Sequence, residues 1–161
     1  LESLASLSLQ EGKAEKALSL LQESLKAAQQ GASFSQTAMI NASLGSVYES
    51  MMRPDEALKC YQASLAINEK TGFRKGIASD YLNLGFFAYF NEGDTDKAEE
   101  YYNKALAIYR EIKDYYGIIT TLDLLGSIRK NRGEREKAMA QFNLYCQRIV
   151  DFCIINHSNF S

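Results

Sequence analysis

The 161-residue sequence has a single proline, and no window alternates apolar and polar residues between turn signals as strands do. With abundant Ala, Leu, Glu and Lys, this leaves long uninterrupted helices as the expected secondary structure. The only histidine, His157, lies in the tail "INHSNFS", and one imidazole removes most catalytic triads and nearly all histidine-based metal sites. Three cysteines (Cys60, Cys146, Cys153) form no disulfide framework and favour a reducing compartment, so the expected location is cytoplasmic. Cys146 and Cys153 lack a further ligand and read as core thiols. The net charge of −2 offers no field for nucleic acid or anionic lipid, and the basic run "RKNRGEREK" (129–137) carries two acids and reads as a solvated turn. The longest apolar stretch near the C-terminus, "IVDFCII", falls far short of the ~20 residues of a membrane span. No phosphate-cradling glycine loop is present. Carboxylates such as Glu99, Glu100 and Asp123 read as solvated helix faces or ion pairs. These absences argue against an enzyme and give no reason to expect a metal or cofactor. The start "LESLASLSLQEGK" has neither a basic leader nor an initiator methionine, so the chain is expected to be a piece of something longer.

What is present is a repeat. "LGSVYES", "LGFFAYF" and "LGSIRKN" each carry a Leu-Gly pair; their glycines are Gly45, Gly85 and Gly126, spaced 85 − 45 = 40 and 126 − 85 = 41. Ala57, Ala98 and Ala138 follow in the same period, each with an aromatic four residues later: Tyr61, Tyr102 and Phe142. Counting back places Ala17 and Leu21 in a first unit, where Ala5 replaces the glycine. Each unit reads as two helices joined by a tight turn, and the turns are "EGK", "RPD", "GDT" and "RGE". Expected helices are 1–10 and 13–30, 35–52 and 54–71, 75–91 and 94–113, and 116–132 and 134–155. The third unit has one extra residue between its glycine and its alanine, which "FNEGDTD" is expected to absorb. Gly45, Gly85 and Gly126 are expected where the two helices of a unit cross closest, faced by Ala57, Ala98 and Ala138.

These markers resemble the tetratricopeptide repeat (TPR): Leu-Gly, Tyr48 three residues after the glycine, then Ala, an aromatic four later, and a small residue (Ser64, Ala105) three beyond. The resemblance spans essentially the whole chain, although the standard repeat is 34 residues and these units run to about 40. It is similar to the longer-helix arrays of bacterial regulators and of eukaryotic scaffolds that bind peptide segments. The resemblance implies an all-α, right-handed superhelical solenoid of antiparallel helix pairs. It would form one domain with units at about 1–33, 34–73, 74–114 and 115–155. It also implies a non-catalytic module that holds a protein or peptide partner in a groove lined by first helices. TPR domains that clamp a terminal carboxylate use Lys, Arg and Asn at fixed groove places; only Asn83 matches, so carboxylate capture is not expected.

The segment "YLNLGFFAYF" (81–90) is apolar nearly all round. Its stripe Ile77, Tyr81, Leu84, Gly85 and Ala88 reads as core. The other stripe, Ser79, Leu82, Asn83, Phe86, Tyr89 and Phe90, is expected to face the groove. Met39, Ser46 and Glu49 flank it in the second unit, and Asp123, Ser127, Lys130 and Asn131 in the fourth. An aromatic patch rimmed by Asn, Ser and Lys suits a peptide or a partner helix. Two readings stand for Phe86 and Tyr89, as partner contacts or as filling of the seams between units, with Phe87 inclined to the seam. Asn83 could bond a bound peptide backbone or a neighbouring helix. At the C-terminus, "FNLYCQRIVDFCII" leaves an uncapped apolar side with Ile149, Phe152 and Ile155, a candidate association surface for a second copy or a further repeat. A self-assembling spacer and a ligand-sensing segment of a bacterial regulator are the alternative functions.

Overall fold

Among the described residues, four backbone positions in the left-handed region and one proline punctuate the chain. Met52 (φ 57°) and Gly93 (φ 69°) close the turns inside units two and three, 93 − 52 = 41 residues apart. Gly72 (φ 68°) and Lys113 (φ 56°) close the joints between units, and are likewise 113 − 72 = 41 apart. Glycine adopts this conformation freely, whereas Met52 and Lys113 hold it against the clash of Cβ with the backbone. The computed structural model describes residues 13–31 and 33–131, with Asn143 and Gln147. The helices are α1 (Ala14–Gln30), α2 (Phe34–Ser50), α3 (Pro54–Thr71), α4 (Arg74–Phe87), α5 (Thr95–Glu111) and α6 (Tyr115–Asn131). Pro54 takes the first position of α3, where its missing N–H costs nothing. Asp94 caps α5 by accepting the Lys97 backbone N–H at 2.9 Å, and Asp114 accepts that of Gly117 at 3.0 Å at the start of α6.

Consecutive helices pack on one another from α1 to α6, and α2 also touches α4, so first helices of neighbouring units meet directly. The result is an all-α solenoid of antiparallel helix pairs, with no strand among the described residues. The expected helix 1–10 lies outside the described residues, as does 134–155 apart from Asn143 and Gln147, and with it Ile149, Phe152 and Ile155. The expected extra residue of unit three is found two positions earlier than anticipated. Ala88–Glu92 form a π turn that continues α4, so the insertion is taken up inside the helix before Gly93 ends it.

The core follows the sequence stripes. Ala17, Leu18, Leu21, Ile40, Leu44 and Val47 join α1 to α2; Ile77, Ala98, Tyr102, Leu106, Ile118 and Leu122 join α4, α5 and α6. Of the stripe assigned to core on α4, Ile77, Leu84, Gly85 and Ala88 are buried, while Tyr81 is half-buried and stacks on Tyr101. One expectation is corrected. The atoms facing Gly45 and Gly85 are tyrosine rings: a Cβ at Gly45 would lie 2.4 Å from the Tyr61 ring, and one at Gly85 2.5 Å from that of Tyr102. Ala57 and Ala98 are buried beside these crossings, but they are not what requires the glycines. Glycine inside a helix costs about 1 kcal/mol against alanine. Burying an aromatic side chain returns about 1.5–3 kcal/mol, so the exchange is favourable.

The same device recurs between units. A Cβ at Gly117 would lie 2.4 Å from the Tyr109 ring, and one at Gly76 2.6 Å from the Asn68 side chain. Gly76 and Gly117 each precede the Leu-Gly glycine by nine residues (85 − 76 and 126 − 117), a signal present in the sequence that its analysis passed over.

Candidate functional site

The C-terminal half of α4 and its π turn carry the aromatic residues. Phe87 is 4% exposed and fills the seam against Ala57, Tyr61 and Leu84. Phe86 and Phe90 instead stand 43% and 62% exposed, side by side, with ring centroids 4.3 Å apart. Tyr89 is half-buried and meets Phe90 edge-on at 4.8 Å. The three rings therefore form one contiguous cluster that is partly open to solvent.

Polar side chains tie this cluster to both neighbouring units. The Tyr61 ring crosses α2 over Gly45, and its hydroxyl arrives between Ser46 and Glu49. It lies 3.3 Å from Ser46 Oγ and donates to Glu49 Oε2 at 2.5 Å. Burial and the adjacent Glu49 carboxylate push the Tyr61 phenol well above its ordinary pKa, so it remains a donor. Glu49 Oε1 accepts from Asn91 Nδ2 at 2.8 Å, which links α2 to the π turn. One unit further on, Asn131 Nδ2 donates to the Tyr89 hydroxyl. Both links join residues 42 apart (91 − 49 and 131 − 89), so they are successive rungs of one pattern.

The remaining expected residues divide into two groups. Ser79 is half-buried and its hydroxyl lies 3.1 Å from that of Tyr109, so it is engaged within its own unit. Leu82 is half-buried and packs against the α4–α5–α6 core. Asn83 is half-buried on the same helix and makes no hydrogen bond among the described residues, so it does not bond a neighbouring helix there. Met39, Asp123, Ser127 and Lys130 are exposed, Met39 on α2 and the other three on α6. The two donors that fix Glu49 are Tyr61, legible in the sequence only as a repeat marker, and Asn91, which carries no sequence signal.

The tetratricopeptide repeat family profile matches residues 1–70 and 77–148. The chain belongs to the tetratricopeptide repeat family. Its fold is similar to the crystal structure of BtubC (BKLC) from P. vanneervenii, with a TM-score of 0.76 at 23% identity over 94% of this chain. It is also similar to a Podosopora anserina putative kinesin light chain with nearly identical TPR-like repeats, with a TM-score of 0.74 at 17% identity over 93% of this chain and 73% of that one. The chain spans 62% of the length of the BtubC structure. No curated protein matches the sequence.

Away from the aromatic face, one carboxylate of this TPR array is buried among the described residues. Asp80 of α4 is 2% exposed and accepts from Ser64 Oγ at 2.7 Å and Asn68 Nδ2 at 2.6 Å, both on α3. Burial pushes its pKa up; the two donors pull it down, with a raised value as the net. Asp80 thus ties the seam between units two and three with neutral partners. Among the described residues no group of three His, Cys, Asp or Glu side chains is placed to hold a metal. None of the described helices is long and apolar enough to cross a membrane.

Proposed function

We propose that the chain is a non-catalytic module that binds a peptide or partner helix on the face formed by α2, α4 and α6, centred on Asn83, Phe86, Tyr89 and Phe90. TPR repeats generally mediate protein–protein interaction, which supplies the class of function. The observation that carries the specific reading is the Phe86–Phe90 pair, two large aromatic rings in contact and left open to solvent in the middle of the array. Exposed aromatic clusters on rigid helices are what a partner's apolar anchor requires, because little conformational entropy is lost when they are covered. Asn83 adds an amide whose donor and acceptor are unused among the described residues, suited to a partner's backbone. Ser46, Glu49, Asp123, Ser127, Lys130 and Asn131 form the polar rim, and Met39 and Leu82 extend the apolar floor.

The test is affinity for peptides selected from a random library, measured by fluorescence anisotropy. Phe86→Ala is expected to weaken binding by at least about tenfold, and Asn83→Ala by a smaller factor, with helicity and melting unchanged. Unchanged affinity in the Phe86→Ala protein contradicts the proposal.

A further inference from the structure

We infer that the partner segment presents an arginine whose guanidinium lies against the Phe86–Phe90 pair and pairs with Glu49; this rests on the peptide-binding reading above. Glu49 is held on both sides by neutral groups, the Tyr61 hydroxyl on Oε2 and the Asn91 amide on Oε1 at 2.8 Å. Two donors fix the carboxylate in place without balancing its charge, and among the described residues no lysine or arginine bonds it. Each carboxylate oxygen keeps a further lone pair for an incoming donor. Asn91 follows Phe90 in the chain, so its amide ties this fixed negative charge to the turn that carries the open aromatic pair.

An anion next to an exposed ring face is a site for a planar cation. A guanidinium can stack on the aromatic surface and fork its N–H donors onto the carboxylate at once, which an ammonium cannot. The opposite flank sets the direction. Lys130 occupies in unit four the place that Glu49 holds in unit two and Tyr89 in unit three (89 − 49 = 40, 130 − 89 = 41). Lys130 is exposed, with no carboxylate bonded to it among the described residues, so it repels a second cation on that side. The basic residue of the segment therefore lies toward unit two. An acidic residue there would meet Glu49 head-on, and a purely apolar segment would desolvate the carboxylate with nothing in return.

The experiment is panning of the full chain against a random twelve-residue peptide library displayed on phage, repeated with variants. The expected result is enrichment of arginine at a fixed distance from an apolar anchor. Glu49→Gln, which keeps the shape of the side chain, is expected to weaken the selected peptides by about tenfold with melting unchanged. Glu49→Lys is expected to replace the enriched arginine by Asp or Glu. Peptides that need Phe86 but show no basic residue, or that bind Glu49→Gln as well as wild type, overturn the arginine inference alone. A library that yields no binder, or binders that survive Phe86→Ala, overturns it together with the peptide-binding reading.

Discussion

A tyrosine ring laid over a glycine is the smallest unit from which this molecule is assembled. Gly45 receives Tyr61 and Gly85 receives Tyr102, whose phenol is pushed up to about 12 by burial. Gly85→Ala is expected to destabilise the chain by about 1–3 kcal/mol, since the new methyl must displace the ring. In a Tyr102→Ala background the same substitution is expected to cost much less, and a double-mutant cycle by urea denaturation measures the difference. The left-handed positions make a second residue-scale prediction. Met52→Gly and Lys113→Gly are each expected to raise stability by up to about 1 kcal/mol, because strain at φ near 57° exceeds the entropy that glycine adds to the unfolded chain.

Asp80 gives a third, with its sign fixed by burial. Its carboxyl has a higher pKa folded than unfolded, so its contribution is most favourable below the ordinary carboxylate range, where both states are protonated. It declines as pH rises from that range through the raised folded value. Wild type is thus expected to lose stability relative to Asp80→Asn across this acidic window and to show a constant difference above it, read from denaturation midpoints at each pH. Asp80 was not legible as a buried residue. It sits at an apolar-looking place in "IASDYLNLG", and only the packing of α3 on α4 reveals that Ser64 and Asn68 reach it.

At the scale of the element, the π turn is where a sequence irregularity becomes a surface. The extra residue between Gly85 and Ala98 is visible by counting. Its location inside the helix is not, because it is decided by which side chains are already committed: Phe87 is buried at the end of the α-helical stretch, so the excess falls immediately after it, from Ala88 onward. The bulge carries Asn91, next to Phe90, to Glu49. Deleting Asn91 restores the spacing of the other units and is expected to leave melting close to that of the parent chain, since a π turn has poorer geometry than the α-helix replacing it. The same deletion is expected to abolish peptide binding. Circular dichroism and anisotropy check the two halves of this expectation.

At the scale of the whole molecule, the repeat determined what could be read in advance. Five helices fall within about two residues of expectation because apolar periodicity and turn residues agree at each boundary, and α4 ends four residues short of it, at Phe87, where the π turn takes over. The rungs from Glu49 to Asn91 and from Tyr89 to Asn131 were not legible: each joins side chains 42 residues apart, and their meeting depends on how one unit is set against the next. Phe86 and Phe87 were legible further: the stripe pattern puts Phe86 toward the open face and inclines Phe87 to the seam, and the packing of α3 on α4 leaves them 43% and 4% exposed.

The central claim is that partners meet the first helices and not the second. Amide hydrogen exchange on the full chain, with and without a library-selected peptide, tests it most directly. The account predicts slowed exchange concentrated in the later turns of α2, α4 and α6 and in the π turn, with α3 and α5 unaffected on their outer faces. Protection concentrated on α3 and α5, with 82–92 unchanged, would contradict it.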